Sequence, residues 1–435
     1  MATKKLLFIV VLIAIAAVGW LGAVNSLSDT EEVEAQAALV AEADALATKE
    51  LYVRAIPLYL EALGYSTESN DDIELKLLDA YLGYGKTSEY TSLVEKRAAS
   101  NKAAEDEYLT AVELYLSGGD VDSAAALLRL GISNTGSEAL MECYDQNCYP
   151  YDMRNTNYVE IIPTATNTIM AAYNGVAWQY INSSGRVAIP GEYEAATSFS
   201  DGGFAAVKAD GQYYLITTDG SKYGVDETGL EAVSGVANYV IGQKDGKYGY
   251  YTADFSLAST GLQFDIITLN SNDRALVSDG GKWAIISDAG ESISDFVYDS
   301  AAINSIGQAY AGGVAMLQEG GAWYIVSTDG EKLSATGFAD ARAPESGGYI
   351  AVSNGTSFGF VDQSGNVKLD YSYEDAKSFS EGLAPVKIDG RWGYINERGS
   401  LVIDAIFDDA QPFRNGIAIA TFNGYAAILT LDDIG

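Results

Sequence analysis

Asp389-Gly390-Arg391-Trp392-Gly393-Tyr394-Ile395-Asn396-Glu397-Arg398-Gly399 is the stretch that decides the fold. An Asp-Gly pair takes the positive φ values of a tight hairpin turn, and Trp392-Gly393-Tyr394-Ile395 supplies strand-forming residues. Just upstream, Leu383-Ala384-Pro385-Val386-Lys387 reads as the partner strand. Gly399 then opens a second turn into Ser400-Leu401-Val402-Ile403.

The same design recurs back to residue 174. Trp178, Tyr213, Tyr248, Trp283, Trp323, Phe358 and Trp392 occupy one slot, at spacings of 35, 35, 35, 40, 35 and 34 residues. Asn423-Gly424-Tyr425 is an eighth, degraded copy. The turn ahead of the aromatic reads Asn-Gly or Asp-Gly at Asn174, Asp210, Asp245, Asp279, Asn354, Asp389 and Asn423, the exception being Glu319-Gly320-Gly321. A glycine returns after the aromatic strand at Gly185, Gly220, Gly290, Gly330, Gly365 and Gly399.

A fixed period of this length means stacked or radially arranged units. Copies with three or four short strands each suit a β-propeller of about eight small blades, with an open β-solenoid as the alternative. The last copy lacks a final strand like Arg186-Val187-Ala188-Ile189-Pro190, and Tyr158-Val159-Glu160-Ile161-Ile162-Pro163 has its pattern. That segment is expected to pair with the final copy and remove both open edges.

The units resemble the WG-repeat (KWG) family of bacterial proteins. Phe379-Ser380-Glu381-Gly382-Leu383-Ala384-Pro385-Val386-Lys387-Ile388-Asp389-Gly390-Arg391-Trp392-Gly393-Tyr394-Ile395 is the clearest copy, and Lys244-Asp245-Gly246-Lys247-Tyr248-Gly249-Tyr250 keeps the frame with tyrosine for tryptophan. Gln179, Tyr214, Ala284 and Tyr324 replace the glycine that follows the aromatic. The resemblance spans residues 158–435 and brings no shared catalytic residues.

Residues 29–133 are rich in Ala, Leu and Glu, with apolar positions three and four apart, and read as amphipathic helices. Tyr52-x-x-Ala55-Ile56-x-x-Tyr59-x-x-Ala62-Leu63 resembles the second helix of a tetratricopeptide repeat, and similar helices recur around Tyr90 and Ala124. The alternative is an acidic helical bundle serving as a spacer. Pro57 predicts a kink or a late start for the first of these helices. Residues 134–157 read as a linker, with Cys143 and Cys148 either joined in a local disulfide or left as two thiols.

At the N-terminus, Lys4 and Lys5 precede an uncharged run of 19 residues, Leu6–Val24. As a helix it reaches about 28 Å, close to the hydrocarbon thickness of a bilayer. Leu21-Gly22-Ala23 is a poor cleavage site, so residues 1–28 read as a single-pass anchor, with secretion after signal cleavage as the alternative. Lysines before the run and Asp29, Glu31 and Glu32 after it place the bulk of the chain outside the cytoplasm of a bacterial cell membrane.

Composition narrows the chemistry. With 60 acidic and 26 basic residues the formal net charge is −34, which opposes nucleic acid and anionic lipid surfaces as partners. No histidine is present, which removes Ser-His-Asp and Cys-His catalysis and His-ligated zinc. The Asp-Gly turns lack the alternating ligands of a calcium loop, and no carboxylate pair stands out for hydrolysis. The aromatics of the repeat slot are expected to fill the core between units rather than to stack on a ligand.

The reading is a non-enzymatic, membrane-anchored interaction scaffold that binds protein or cell-wall polymer. It carries no cofactor, no metal and no catalytic residue, and its partner-binding residues are unassigned. A carbohydrate- or cell-wall-binding module is the alternative, followed by a carboxylate-dependent hydrolase.

Overall fold

The computed structural model describes residues 31–65, 70–258 and 263–431. The chain divides into two compact units at Cys148 and Tyr149. The expected membrane anchor, Leu6–Val24, lies outside the described residues. No described helix is long and apolar enough to cross a membrane.

The first unit is helical. Helix α1 occupies 31–47, followed by α2 (Tyr52–Ala62), α3 (Asn70–Tyr84), α4 (Thr87–Ala99), α5 (Glu105–Ser117), α6 (Val121–Thr135) and α7 (Glu138–Asn147). From α2 onward each helix packs on its sequence neighbours, and α4 also meets α6 while α5 meets α7. The alanine and tyrosine spacing puts Ala55, Tyr59, Ala62, Tyr90 and Ala124 into one core. Pro57 lies inside α2, so the late helix start does not occur. The first four N–H groups of a helix need no intrahelical acceptor, yet Pro57 stands beyond them and removes one bond from the ladder.

One buried cation ties three of these helices. Arg97 in α4 is 2% exposed and donates to Glu107 in α5 at 2.8 Å and to Asp71 and Glu74 in α3 at 2.8 and 3.1 Å. Cys143 and Cys148 are both free thiols. Burial, then the neighbouring Cys143, pushes the Cys148 thiol up to about 11, which keeps it protonated at neutral pH.

The second unit is a ring of eight antiparallel sheets, the blades. Blades 1 to 8 begin at Glu160, Ala195, Ala232, Ile266, Ser300, Asp340, Asp375 and Asp409. Blade 7 shows the plan: strand A (Asp375–Ala376) at the axis, B (Leu383–Ile388), C (Arg391–Asn396) and D (Leu401–Phe407) at the rim. In blades 4 and 5 strand D is reduced to isolated bridges, such as Trp283↔Tyr298 and Trp323↔Phe338.

The strand that completes blade 8 is Tyr151–Asn155, which pairs with Tyr425–Leu431 in the register Tyr151↔Leu431 to Asn155↔Ala427. The expectation for Tyr158–Pro163 is therefore corrected: Glu160–Ile162 is strand A of blade 1, paired with Ile169–Tyr173. The reason is positional. Each copy opens with its own axial strand, so the rim strand missing from the last copy must come from further upstream, where Tyr151 and Met153 pack into the blade 8 core. Tyr158 still touches the last copy, its carbonyl accepting from Ala426 N–H at 2.8 Å. Residues 134–157, read as a linker, thus hold α7 and this closing strand.

Eight apolar clusters lie between successive blades. The last of them joins blade 8 to blade 1 through Ile417, Ile419, Ile428, Ile161, Met170 and Ile181. The slot aromatics Tyr213, Trp283, Trp323, Phe358 and Trp392 are buried, Trp178 and Tyr248 half-buried, and only Tyr425 is exposed. The deepest rings stand two residues further on. Tyr180, Phe360 and Tyr394 each meet a phenylalanine of the next blade, Phe199, Phe379 and Phe413, with centroids 4.9, 4.8 and 4.9 Å apart. Tyr180 and Tyr394 also donate to the next blade's Thr197 and Gln411 carbonyls, each at 2.8 Å.

The glycine of the Trp-Gly pair has a steric cause. A Cβ on Gly393 would stand 2.6 Å from the Ile403 oxygen and 2.7 Å from the Ala405 nitrogen, where strand D bulges against strand C. Blade 1 keeps the same bulge with Gln179, and its glycine has moved to strand D as Gly191. Ala284 and Tyr324 belong to blades 4 and 5, where strand D is nearly absent.

Candidate functional site: the mouth of the ring

A two-residue hairpin joins strands B and C in every blade except 1 and 6, where 174–177 and 354–357 make a four-residue loop, and these turns fix one end of the ring. Asp210, Asp245, Asp389 and Asn423 sit at φ of 52, 52, 49 and 53°, each followed by a glycine. In blade 4 the turn pair is Gly280-Gly281, and Asp279 is the last residue of strand B, so this copy joins Glu319-Gly320-Gly321 as an exception. A carboxylate just ahead of strand A fastens the turn: Glu194, Glu231, Glu374 and Asp408 accept from the N–H of Gly211, Gly246, Gly390 and Gly424. These four carboxylates are thus committed to structure.

The opposite end carries the A–B and C–D loops, and there the ring opens. A cavity of about 720 Å³ is lined by loops from blades 1 to 5, including Thr164, Ser200, Asp201, Asn238, Asn272 and Asp273. Asp288, from the C–D loop of blade 4, also lines it, while no lysine or arginine does. Among the described residues Asp201, Asp273 and Asp288 form no side-chain ion pair or hydrogen bond.

The longest A–B loop is that of blade 5. It runs 302–313, against 377–382 in blade 7. Its stretch Asn304–Gln308 lines the cavity and is fastened to blade 4 by Leu269 N–H to the Gly307 carbonyl at 2.8 Å. These added residues are the source of the one 40-residue spacing, between Trp283 and Trp323.

The other side of the ring is closed by an ion pair. Arg414, in the A–B loop of blade 8, donates to both carboxylate oxygens of Glu345 in blade 6 at 2.7 Å, and to Ser305 Oγ in blade 5 at 3.2 Å. Arg414 is 6% and Glu345 8% exposed. Burial raises the Glu345 carboxyl above its ordinary value, and Arg414 and then Lys377 oppose that rise. Ser305 belongs to both features: it lines the cavity and accepts from Arg414, while Arg414 and Glu345 themselves do not line it.

Sequence reasoning named no site residue and missed both features. Two signals were present. One is the 40-residue spacing, because insertions in repeats fall in loops on one face, often the binding face. The other is Phe413-Arg414-Asn415-Gly416, which sets arginine where Phe199-Ser200-Asp201-Gly202 and Phe379-Ser380-Glu381-Gly382 have serine. The arrangement suits recognition: a recess of mixed polar and apolar lining with unpaired carboxylates. Among the described residues no group of three or more Cys, Asp or Glu side chains is placed to hold a metal ion.

The family model described as WG containing repeat matches residues 178–213, 358–392 and 392–425. A search of the curated proteins finds no match. Among solved structures, the chain is similar to a crystal structure of the eukaryotic initiation factor, at 10% identity over 61% of this chain and 81% of that one, with a TM-score of 0.39. It is similar to the Neurospora crassa Pan2 WD40 domain at 10% identity over 54% and 87%, TM-score 0.30, and to the AfRom2 CNH domain at 8% over 65% and 95%, TM-score 0.32. At these scores they add nothing to the topology read from the strand order. The C-terminal unit is an eight-bladed β-propeller that contains WG repeats.

Proposed function

We propose that the chain is a non-enzymatic interaction scaffold, anchored in a bacterial cell membrane by Leu6–Val24, with both folded units outside the cytoplasm. The observation that carries the binding reading is the mouth of the ring: loops of five blades, the longest of them an insertion, converge on one cavity of mixed polar and apolar lining. Repeat architectures present extended surfaces of this kind for partners. The helical unit follows the anchor in sequence and serves as a tetratricopeptide-like stalk with its own docking surface. That reading is supported by the equivalent burial of Tyr59, Tyr90 and Ala124 on alternate helices.

The partner is a protein or a cell-wall polymer. Against a sugar-stacking module, the exposed aromatics of the ring among the described residues, Tyr223, Phe296 and Tyr425, belong to three separate blades, 2, 4 and 8. The test is capture from solubilised membranes with the full chain as bait, beside assays for glycoside and peptide hydrolysis. A reproducible envelope partner and no turnover are expected. Turnover that disappears on replacing one Asp or Glu overturns the scaffold reading, and a mature N-terminus near residue 24–27 in the membrane fraction overturns the anchor.

A further inference from the structure

We infer that the cavity at the mouth of the ring receives a basic, extended peptide segment of the partner protein. This rests on the scaffold reading and names the chemistry of its site. The cavity is the primary observation: about 720 Å³ falls within the range of pockets that take a drug-sized ligand or a few peptide residues. It is recessed at the axis and built by an insertion that the rest of the repeat does not need.

The lining then selects the ligand. Its charged side chains are all acidic, Asp201 from blade 2 and Asp273 and Asp288 from blade 4, and none has an internal partner among the described residues. They do not gather into a metal site, which disfavours a single compact cation. Carboxylates spread around a recess match positive charges spread along a chain, as on successive lysines or arginines. Asn238, Ser271 and Asn272 offer amide and hydroxyl groups for a peptide backbone between those charges. The net charge of −34 draws such a segment toward the protein, and the recess gives it one place to dock.

The blade 4 turn adds a mark of its own. Blades 7 and 8 end their A–B turn with Gly382 and Gly416, and blade 5 with Gly313, all at positive φ. Blade 4 has Asp273 at φ 59° in that place, so a carboxylate is held at the mouth where glycine relieves the backbone elsewhere.

The experiment uses the full chain and fluorescent tetralysine, with tetraserine and tetraglutamate as controls. Asp201→Asn, Asp273→Asn and Asp288→Asn are combined in one variant. Asp210→Asn, Asp245→Asn and Asp389→Asn, at the hairpin tips of the other end, make the same charge change in a second. Saturable binding of one tetralysine per chain is expected, weakened about tenfold by the mouth variant and little changed by the tip variant. Equal losses in the two variants, or several peptides per chain, overturn the inference, because either outcome describes a diffuse acidic surface. If the mouth variant still captures the envelope partner at parental strength, the inference falls and the scaffold reading stands. Turnover by the chain overturns the scaffold reading instead.

Discussion

Replacing Arg414 with methionine removes the cation from the bridge that closes one side of the ring. Glu345 then keeps its place at 8% exposure with both oxygens stripped of their 2.7 Å donors. Breaking a buried pair by removing one partner costs about 3–5 kcal/mol, most of it the penalty of a stranded charge. The Ser305 hydroxyl, half-buried at the cavity wall, can turn to water and adds little. For a unit of this size the loss corresponds to a fall in melting temperature on the order of 10 °C. Arg414→Met with Glu345→Leu removes both charges, and such replacements of a whole pair are near neutral or stabilising by about 1–4 kcal/mol. Thermal and guanidinium unfolding, followed by tryptophan fluorescence, give the four corners of the cycle. A single variant within about 1 kcal/mol of the parent, or a double variant as unstable as the two singles combined, would refute the reasoning.

Replacing 151–155 with a Gly-Ser segment of equal length should lower hydrogen-exchange protection in blades 8 and 1 together; loss confined to blade 8 would mean an open array. Gly393→Ala should destabilise the ring by about 1–3 kcal/mol, read from the denaturant midpoint, because its Cβ meets strand D backbone within 2.7 Å. Ala284→Gly, in a blade without that strand, should not yield a matching gain. Asp273→Gly should stabilise the chain by about 1 kcal/mol by relieving a left-handed residue, while weakening tetralysine binding.

The period and the turns made the ring legible because they are local. A glycine turn and a flanking aromatic strand need only a dozen neighbouring residues to declare themselves, and the slot from Trp178 to Trp392 repeats them. Assignment of the closing strand failed because short alternating strands look alike. Tyr151–Asn155 and Glu160–Ile162 differ in which edge they meet: the first pairs at the far end of the chain, Tyr151↔Leu431, and the second with its own neighbour, Glu160↔Tyr173. The blade 4 turn was displaced by one residue because Asp279-Gly280-Gly281 fits either frame until strand register is known. Nothing local marks Arg414 as the partner of Glu345, which lies 69 positions earlier, although its departure from the repeat was visible.

Departure from the repeat is also where the ring's two tasks separate. Blades 6 and 7 hold to the pattern most closely: Phe358, Trp392, Gly359 and Gly393 stand in frame, and strand D is complete there and, through Tyr151–Asn155, in blade 8. Their A–B loops are short, or drawn inward by Arg414 and Glu345, so this arc gives stability and little opening. Blades 4 and 5 have lost most of strand D and the glycine of the slot, and blade 5 has gained the insertion. Those losses weaken the rim but leave the inter-blade core intact, with Leu276, Ile285, Ala315 and Leu317 all fully buried. An array of near-identical units tolerates such local divergence because each blade shares its apolar core only with its two neighbours. The regular arc can therefore hold the circle closed while the divergent arc alters its loops. The 720 Å³ mouth takes part of its lining from that divergent arc, Leu269–Asp273, Asp288 and Asn304–Gln308, and the rest from blades 1 to 3.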